Sequence, residues 1–267
     1  MSVNVLATMS GQFGDILWAL PTVRELAKAH NGSIDFAIMP GFRSILPLLN
    51  SQSYVNKAFV IEEWRETGRP YGVQPWQSPD FEGRSKYDKV IDLTYRQHPH
   101  GRHLAQWIAR DAGVRLPNPV TLFLQVDGVE WVLPTPVIAY GFNPLYHESK
   151  MEFLLSLQEK LNDFTFVDTT NLPWLSAAAF IKSALCFVGC RSSNYALAHG
   201  VGQKVVVFEP HPARVGWTFA WRFGTEFDAT TVELAAERIR KWSEGETGWD
   251  CFHPIRENVT TGSPSCT

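Results

Sequence analysis

The sequence predicts an α/β protein of two halves, each a parallel sheet wrapped by helices, and three observations lead there. Apolar, β-branched runs recur along the chain, amphipathic helical patterns separate most of them, and the plan restarts after a turn-rich interruption near the middle. In the first half the runs fall at residues 3–8, 34–39, 57–61, 89–93 and 121–126, which are read as strands. A helix beginning at Asp15 puts Ile16, Leu17, Leu20, Val23, Leu26 and Ala27 on one stripe, and a second amphipathic pattern covers residues 103–112. The interruption is "DGVEWVLPTP".

Beyond it, strands are expected at residues 137–142, 164–168, 185–190 and 204–208, with helices at 150–161, 172–183 and 194–200. The second half thus reads as another Rossmann-like unit. These boundaries give one domain at residues 1–128 and another at 136–267, joined near residues 127–135. A closing amphipathic helix over residues 232–242 is expected to cross back onto the first half.

Composition sets limits on function. The chain has 267 residues, 45% of them hydrophobic and 19% charged, enough to bury a real core. A formal net charge of -3 and a pI near 6.2 give no global attraction to nucleic acid or anionic lipid. No apolar run approaches the roughly 18 residues of a membrane span, and no basic segment precedes an apolar one at the N-terminus, which points to a cytoplasmic protein without a transmembrane segment. Four cysteines, Cys186, Cys190, Cys251 and Cys266, are too few for a disulfide framework. Cys186 and Cys190 share a predicted strand, whose rise separates their Cα atoms by about 13 Å against a bridging limit of about 7 Å. They are read as buried thiols.

The stretch "GQFGDILWALPTVRELAKAH", residues 11–30, lies where a parallel sheet binds ligands, at the carboxyl end of the first strand. Gly11 and Gly14 lack the third glycine of a dinucleotide site, and the second strand ends in Met39 and Pro40, with Asp35 back near its start. NAD binding is therefore disfavoured. Asp15 has two readings: a cap for the helix amides, worth about 0.5 to 2 kcal/mol, or an acid presented to the cleft. Pro21 removes a helical amide and is expected to kink the helix or mark its restart.

The second informative stretch is "CFVGCRSSNYALAHGVGQKVVVFEPHP", residues 186–212. A strand ends at Cys190, and Ser192, Ser193 and Asn194 lead into a short helix, an arrangement that either caps the helix or binds a pyrophosphate. Glu209, His211 and Arg214 follow the next strand and approach the same place. The long stretch at residues 63–87 carries Arg65, Arg69, Arg84 and Lys86, offset by Glu63, Glu66, Asp80 and Glu82. It reads either as an acceptor-binding loop or as a solvated one. His98, His100 and His103 have no compact cysteine or carboxylate partners, so no metal site is assigned. Trp64, Trp76, Trp217 and Trp221 either stack on a sugar or base, or pack.

Three stretches carry a family likeness. "GDILWALPTVRELAKAHNGSIDFAIMPGFRSIL" resembles the opening of glycosyltransferase family 9, the ADP-heptose:lipopolysaccharide heptosyltransferases, with its Gly-Asp loop and a helix containing "LP". "YDKVIDLTYR" is similar to a later strand of that family, and residues 180–210 to its nucleotide-binding strand, loop and helix. The resemblance implies a GT-B fold, two Rossmann-like domains with parallel sheets facing across a cleft. It implies an acceptor held mainly by the first domain, a nucleotide-sugar donor mainly by the second, and no metal or other cofactor.

By the same resemblance Asp15 is the general base and Lys150 contacts donor phosphate; by their positions in the chain, Arg191, Ser192, Ser193, Asn194, Glu209 and His211 are expected around the donor and Gly14, Arg65 and Arg69 toward the acceptor. The family's second-domain loop reads Asp, Ser or Thr, Gly, then His three residues later; here those positions are Arg191, Ser192, Ser193 and Ala196. Arg191 is thus expected either to neutralise pyrophosphate or to replace an acid that binds the donor sugar. The leading expectation is an inverting transfer of a sugar to an acceptor hydroxyl on a glycan or lipid-linked saccharide. Two alternatives stand beside it, a phage-type glycosyltransferase acting on modified DNA bases and a non-catalytic nucleotide-sugar-binding module.

Overall fold

The structure, a computed structural model, describes residues 3–30, 32–64, 80–94, 103–117, 120–128, 131–133, 136–143, 147–210 and 226–245. In the first half, β1 (Val5–Met9), β2 (Ile34–Ile38), β3 (Val55–Val60) and β4 (Lys89–Asp92) form a parallel sheet in the order β3-β2-β1-β4. Helices α1 (Phe13–Ala29), α2 (Leu46–Asn50) and α3 (Leu104–Asp111) accompany it. In the second half, β5 (Val137–Gly141), β6 (Thr165–Asp168), β7 (Cys186–Gly189), β8 (Val205–Val207) and β9 (Glu226–Asp228) form a parallel sheet ordered β6-β5-β7-β8-β9. Helices α4 (His147–Lys160), α5 (Trp174–Ser183), α6 (Ser193–Gly200) and α7 (Val232–Ser243) complete it. Two wound parallel sheets are what the alternation of runs predicts.

Three local expectations are corrected. Helix α1 does not restart at Pro21: it is continuous from Phe13 to Ala29, with Pro21 buried and the Leu17 carbonyl left without its helical amide. Helix α7 packs on α4 in its own half instead of crossing back: Lys160 pairs with Glu233, Arg240 grips Asp163, and Trp242 and Ile239 join a core with Phe153, Leu157 and Leu161. Residues 121–126 form no strand. Their alternation is real, since Leu122, Leu124 and Val126 are buried, but the segment spans the halves instead of joining a sheet. The Leu124 amide donates to the Gly200 carbonyl at the end of α6. On the other side, the Gln125 side chain accepts from the Ser53 amide at 2.5 Å, and the Gln125 amide donates to Gln52 at 2.9 Å.

The two halves share one hydrophobic core. It runs from Leu17, Leu20 and Phe36 in the first half to Ala178, Phe187 and Leu197 in the second. Helix α1 packs directly on α6, and α2 on α5. At the carboxyl edges of the sheets, the Phe13 ring lies 4.4 Å from Trp174 and 4.9 Å from Phe42, and the Trp174 indole donates to Ser44 Oγ. Phe13 and Trp174 open the helices that follow β1 and β6, so the ligand-binding edges of both sheets meet. Cys186 and Cys190 are buried free thiols, as their spacing predicts.

Gly200 is required at this seam, because a Cβ there would collide with Leu124 and come within 3.2 Å of Leu122. Gly200→Ala is expected to lower stability by about 1 to 3 kcal/mol through overpacking. In a urea titration the wild-type chain should unfold in one cooperative transition, given its shared core; two transitions in the wild type would contradict it.

Candidate functional site

Helix α1 begins at Phe13 with Gln12 as its N-cap, so Asp15 stands at the third helical position instead of at the cap itself. Its carboxylate folds back and accepts the Gln12 amide at 2.8 Å, satisfying a donor that the helix leaves open. Gly11 makes this possible, since any Cβ there would collide with the Asp15 side chain. Gly14 faces open space, with nothing within 4 Å of where a Cβ would lie. Asp15 is half-buried, oriented by its own helix end, at the edge where the sheets meet. Beneath it, Ser10 Oγ and Thr94 Oγ1 share a buried hydrogen bond of 2.9 Å that ties the end of β1 to the end of β4.

Across the seam, β7 ends in the loop Cys190–Arg191–Ser192 that opens α6. Ser192 is the N-cap, in extended conformation, and its carbonyl accepts from Ala196. Neither Ser192 nor Ser193 uses its hydroxyl on another described residue, and both are half-buried. Asn194 is different. It is buried, and its amide donates to Thr169 Oγ1 at 3.2 Å over the ends of β5 and β6, where the missing side chain of Gly141 makes room for it. Asn194 therefore holds strand ends together.

The expected cations have protein partners. Lys150, in the first turn of α4, is 1% exposed and donates to the backbone and side-chain oxygens of Asn143, both at 3.1 Å. The Asn143 amide in turn points at Cys190 Sγ, so Lys150 lies beside the loop that opens α6. The Arg191 guanidinium is 8% exposed and meets Asp228 at 2.7 Å and Glu226 at 3.4 Å, while the Arg191 amide donates to Glu209 at 3.2 Å. Arg191 is thus committed to protein carboxylates, and Glu209 to the loop's backbone. Arg65, Arg69 and His211 lie outside the described residues, as do His98, His100, Arg214, Trp76, Trp217 and Trp221. Trp64 is buried and packs.

The sequence reading missed a cluster at the seam. Glu226 of β9 accepts the Tyr195 hydroxyl at 2.7 Å and the His199 ring nitrogen at 3.2 Å. Burial pushes the Glu226 pKa up, but the His199 hydrogen bond, the charges of His199 and Arg191, and the Tyr195 bond outweigh it and hold the carboxyl below its ordinary value. Burial, then the Glu226 charge and hydrogen bond, push the Tyr195 phenol well up. Trp18 of α1 completes the group, 4.3 Å from His103, 6.1 Å from His199 and 6.4 Å from Tyr195. No group of three metal-ligating side chains occurs among the described residues. No helix among them is long and apolar enough to cross a membrane.

No family model and no curated protein matches the chain. Solved structures do. The E. coli heptosyltransferase WaaC with ADP aligns over 90% of this chain and 100% of its own, at TM-score 0.56 and 13% identity. E. coli ADP-heptose lps heptosyltransferase II aligns over 91% and 100%, at TM-score 0.54 and 13% identity. TibC, an iron-containing dodecameric glycosyltransferase of enterotoxigenic E. coli H10407, aligns over 78% of this chain at TM-score 0.55 and 13% identity. The chain spans 59% of TibC and the whole of the two heptosyltransferases. At these identities the likeness establishes the fold, the GT-B arrangement of two Rossmann-like halves.

The seam makes a pH prediction. Burial, then the nearby charge of His199, lower the His103 pKa from 6.5 to about 3 despite the opposing charge of Glu226, and its ring accepts the Ala105 amide as the cap of α3. Between those values the unfolded chain binds a proton that the folded chain refuses, so stability should fall as pH drops from about 6.5 toward 3. His103→Asn keeps a capping oxygen but does not titrate. Urea titrations from pH 7 to 4 should show a shallower loss in His103→Asn than in the wild type, and equal slopes would refute the burial argument.

Proposed function

We propose that the protein is a glycosyltransferase that moves a sugar from a nucleotide-sugar donor to an acceptor hydroxyl, with inversion at the anomeric carbon. The observation that supports this reading is the meeting of the two carboxyl edges, where Phe13 at the start of α1 lies against Trp174 at the start of α5; Asp15 and Ser192–Ser193 stand at the amino ends of helices that follow β1 and β7. The solved structures of this fold include WaaC with ADP and with ADP-2-deoxy-2-fluoro heptose, and TibC with ADP-D-beta-D-heptose, which supports a nucleotide-sugar donor here. The acceptor class is a glycan or lipid-linked saccharide.

The step is a single displacement. The acceptor oxygen attacks the anomeric carbon, the bond from that carbon to the diphosphate oxygen breaks with its electron pair staying on the diphosphate, and the acceptor proton passes to Asp15. Charge on the leaving diphosphate is met by the amides and hydroxyls opening α6, while the buried Lys150, bonded to Asn143, adds positive charge behind that loop. Arg191, engaged by Glu226 and Asp228, shapes this loop. Arg65, Arg69 and His211 keep their proposed places toward acceptor and donor. In this reading no metal takes part, so transfer should survive exhaustive treatment with a chelator.

A binding module without catalysis has one observation in its favour, the capping bond that gives Asp15 a structural task. One variant separates the two. Asp15→Asn retains an oxygen for the Gln12 amide, so stability should change little, but it cannot take the proton. As a base, Asp15 predicts a loss of about 10² to 10⁴ in transfer rate with donor binding retained. Turnover near wild type would return Asp15 to capping alone. Bulky apolar residues at Ser192 and Ser193 should weaken donor binding in a folded protein, and unchanged affinity would remove them from the site.

A further inference from the structure

The loop that opens α6 is fixed from outside itself. Two acids of neighbouring strands reach Arg191, with Glu209 following β8 and accepting its amide, and Asp228 of β9 accepting its guanidinium. Glu226, two residues earlier on β9, is 2% exposed and makes contacts in two directions. Toward the loop it meets Arg191, and toward the seam it accepts from Tyr195 and His199, the α6 residues that face Trp18 of α1. A buried carboxylate is costly unless several donors converge on it, and here three do. A carboxylate needed only to fill space on an edge strand would be replaceable by an apolar side chain; one joining two elements of a site would not.

We infer that Glu226 is a positioning residue: through Arg191 it sets the loop that receives the donor diphosphate, and through Tyr195 and His199 it sets α6 against the helix that carries Asp15. This rests on the glycosyl-transfer reading of the cleft. The groups facing Glu226 are Arg191, Tyr195 and His199, with Asp228 beside it on the same guanidinium and His103 behind the Trp18 ring. Glu226→Gln preserves the shape and an oxygen for Tyr195 but removes the charge that holds Arg191. Asp228→Asn loosens the same guanidinium at a more exposed position, 29% against 2%.

The test is calorimetric titration of the full chain with ADP, UDP, GDP and CDP, followed by the same titration of both variants with whichever diphosphate the wild type binds best. Circular dichroism at the titration temperature confirms that each variant is folded. Both variants should bind at least tenfold more weakly, Glu226→Asp should recover part of the loss, and the acceptor KM should stay within about twofold of wild type. A purely structural Glu226 would lower the melting temperature and leave the affinity of the folded protein unchanged, and that result overturns the inference. If Glu226→Gln does not fold, Glu226→Asp carries the test: weaker diphosphate binding in the folded variant supports the inference and unchanged affinity overturns it. A wild type that binds none of the four diphosphates removes the donor-site reading, and the inference with it. A wild type that binds, with variants binding equally well, removes the inference alone.

Discussion

The relation between the two helix ends at the seam depends on α1 lying against α6. These helices follow β1 and β7, and each carries at its amino end the residues proposed to act there, Asp15 on one and Ser192–Ser193 on the other. A helix pair can hold two such ends in fixed relation only if its interface is large, dry and shape-specific. The interface is built of buried side chains from both helices. Leu17, Leu20, Leu197 and Ala198 are fully buried in one core, and Trp18 fills the space between His103, Tyr195 and His199. Gly200 lets residues 120–126 pass close over the end of α6, so the connection between the halves is itself part of the packing.

Apolar packing alone would leave the loop before α6 free to move, and charge fixes it. The Arg191 guanidinium meets Glu226 and Asp228 of β9, and its amide donates to Glu209, just after β8. Such clusters seldom add net stability over well-packed apolar residues, but they discriminate strongly between correct and incorrect arrangements because an unpaired buried charge is costly. In this fold the discrimination falls on the loop that opens the cleft. The loop lacks an acid of its own, and carboxylates reach it from the neighbouring strands.

The periodic part of this architecture was legible in the sequence. Strands and helices leave patterns of period two and 3.6 in the chain, and the parallel sheets and their order of appearance follow from those. The misreadings have a common cause. Residues 121–126 alternate buried and exposed side chains as a strand does, but their hydrogen bonds go to Gly200 and Gln52, partners that no local pattern identifies. Pro21 lies at a buried point of α1 that stays helical through a missing bond. Helix α7 packs on α4 through Ile239 and Trp242, buried against Phe153, Leu157 and Leu161, with Arg240 bonded to Asp163 77 residues away, contacts that no local pattern identifies. At the candidate site, the positions of Asp15 and the Ser192–Ser193 turn at helix ends after β1 and β7 were legible because each follows a strand end, whereas Lys150 was singled out by the family resemblance alone. Glu226 was not, because its strand is three residues long and its partners, Arg191, Tyr195 and His199, precede it by 27 or more positions. Arg191 and Asn194 were recognised as present near the cleft, but their side chains turn inward to Asp228 and Thr169.

The claim that the two carboxyl edges form one transfer site has a direct test in a crystal structure of the Asp15→Asn protein with the nucleotide sugar that it binds most tightly. The account predicts the diphosphate at the amides of Ser192 and Ser193, with the sugar's anomeric carbon facing residue 15 across the seam. A donor bound elsewhere, or one whose sugar points away from the first half, would contradict it.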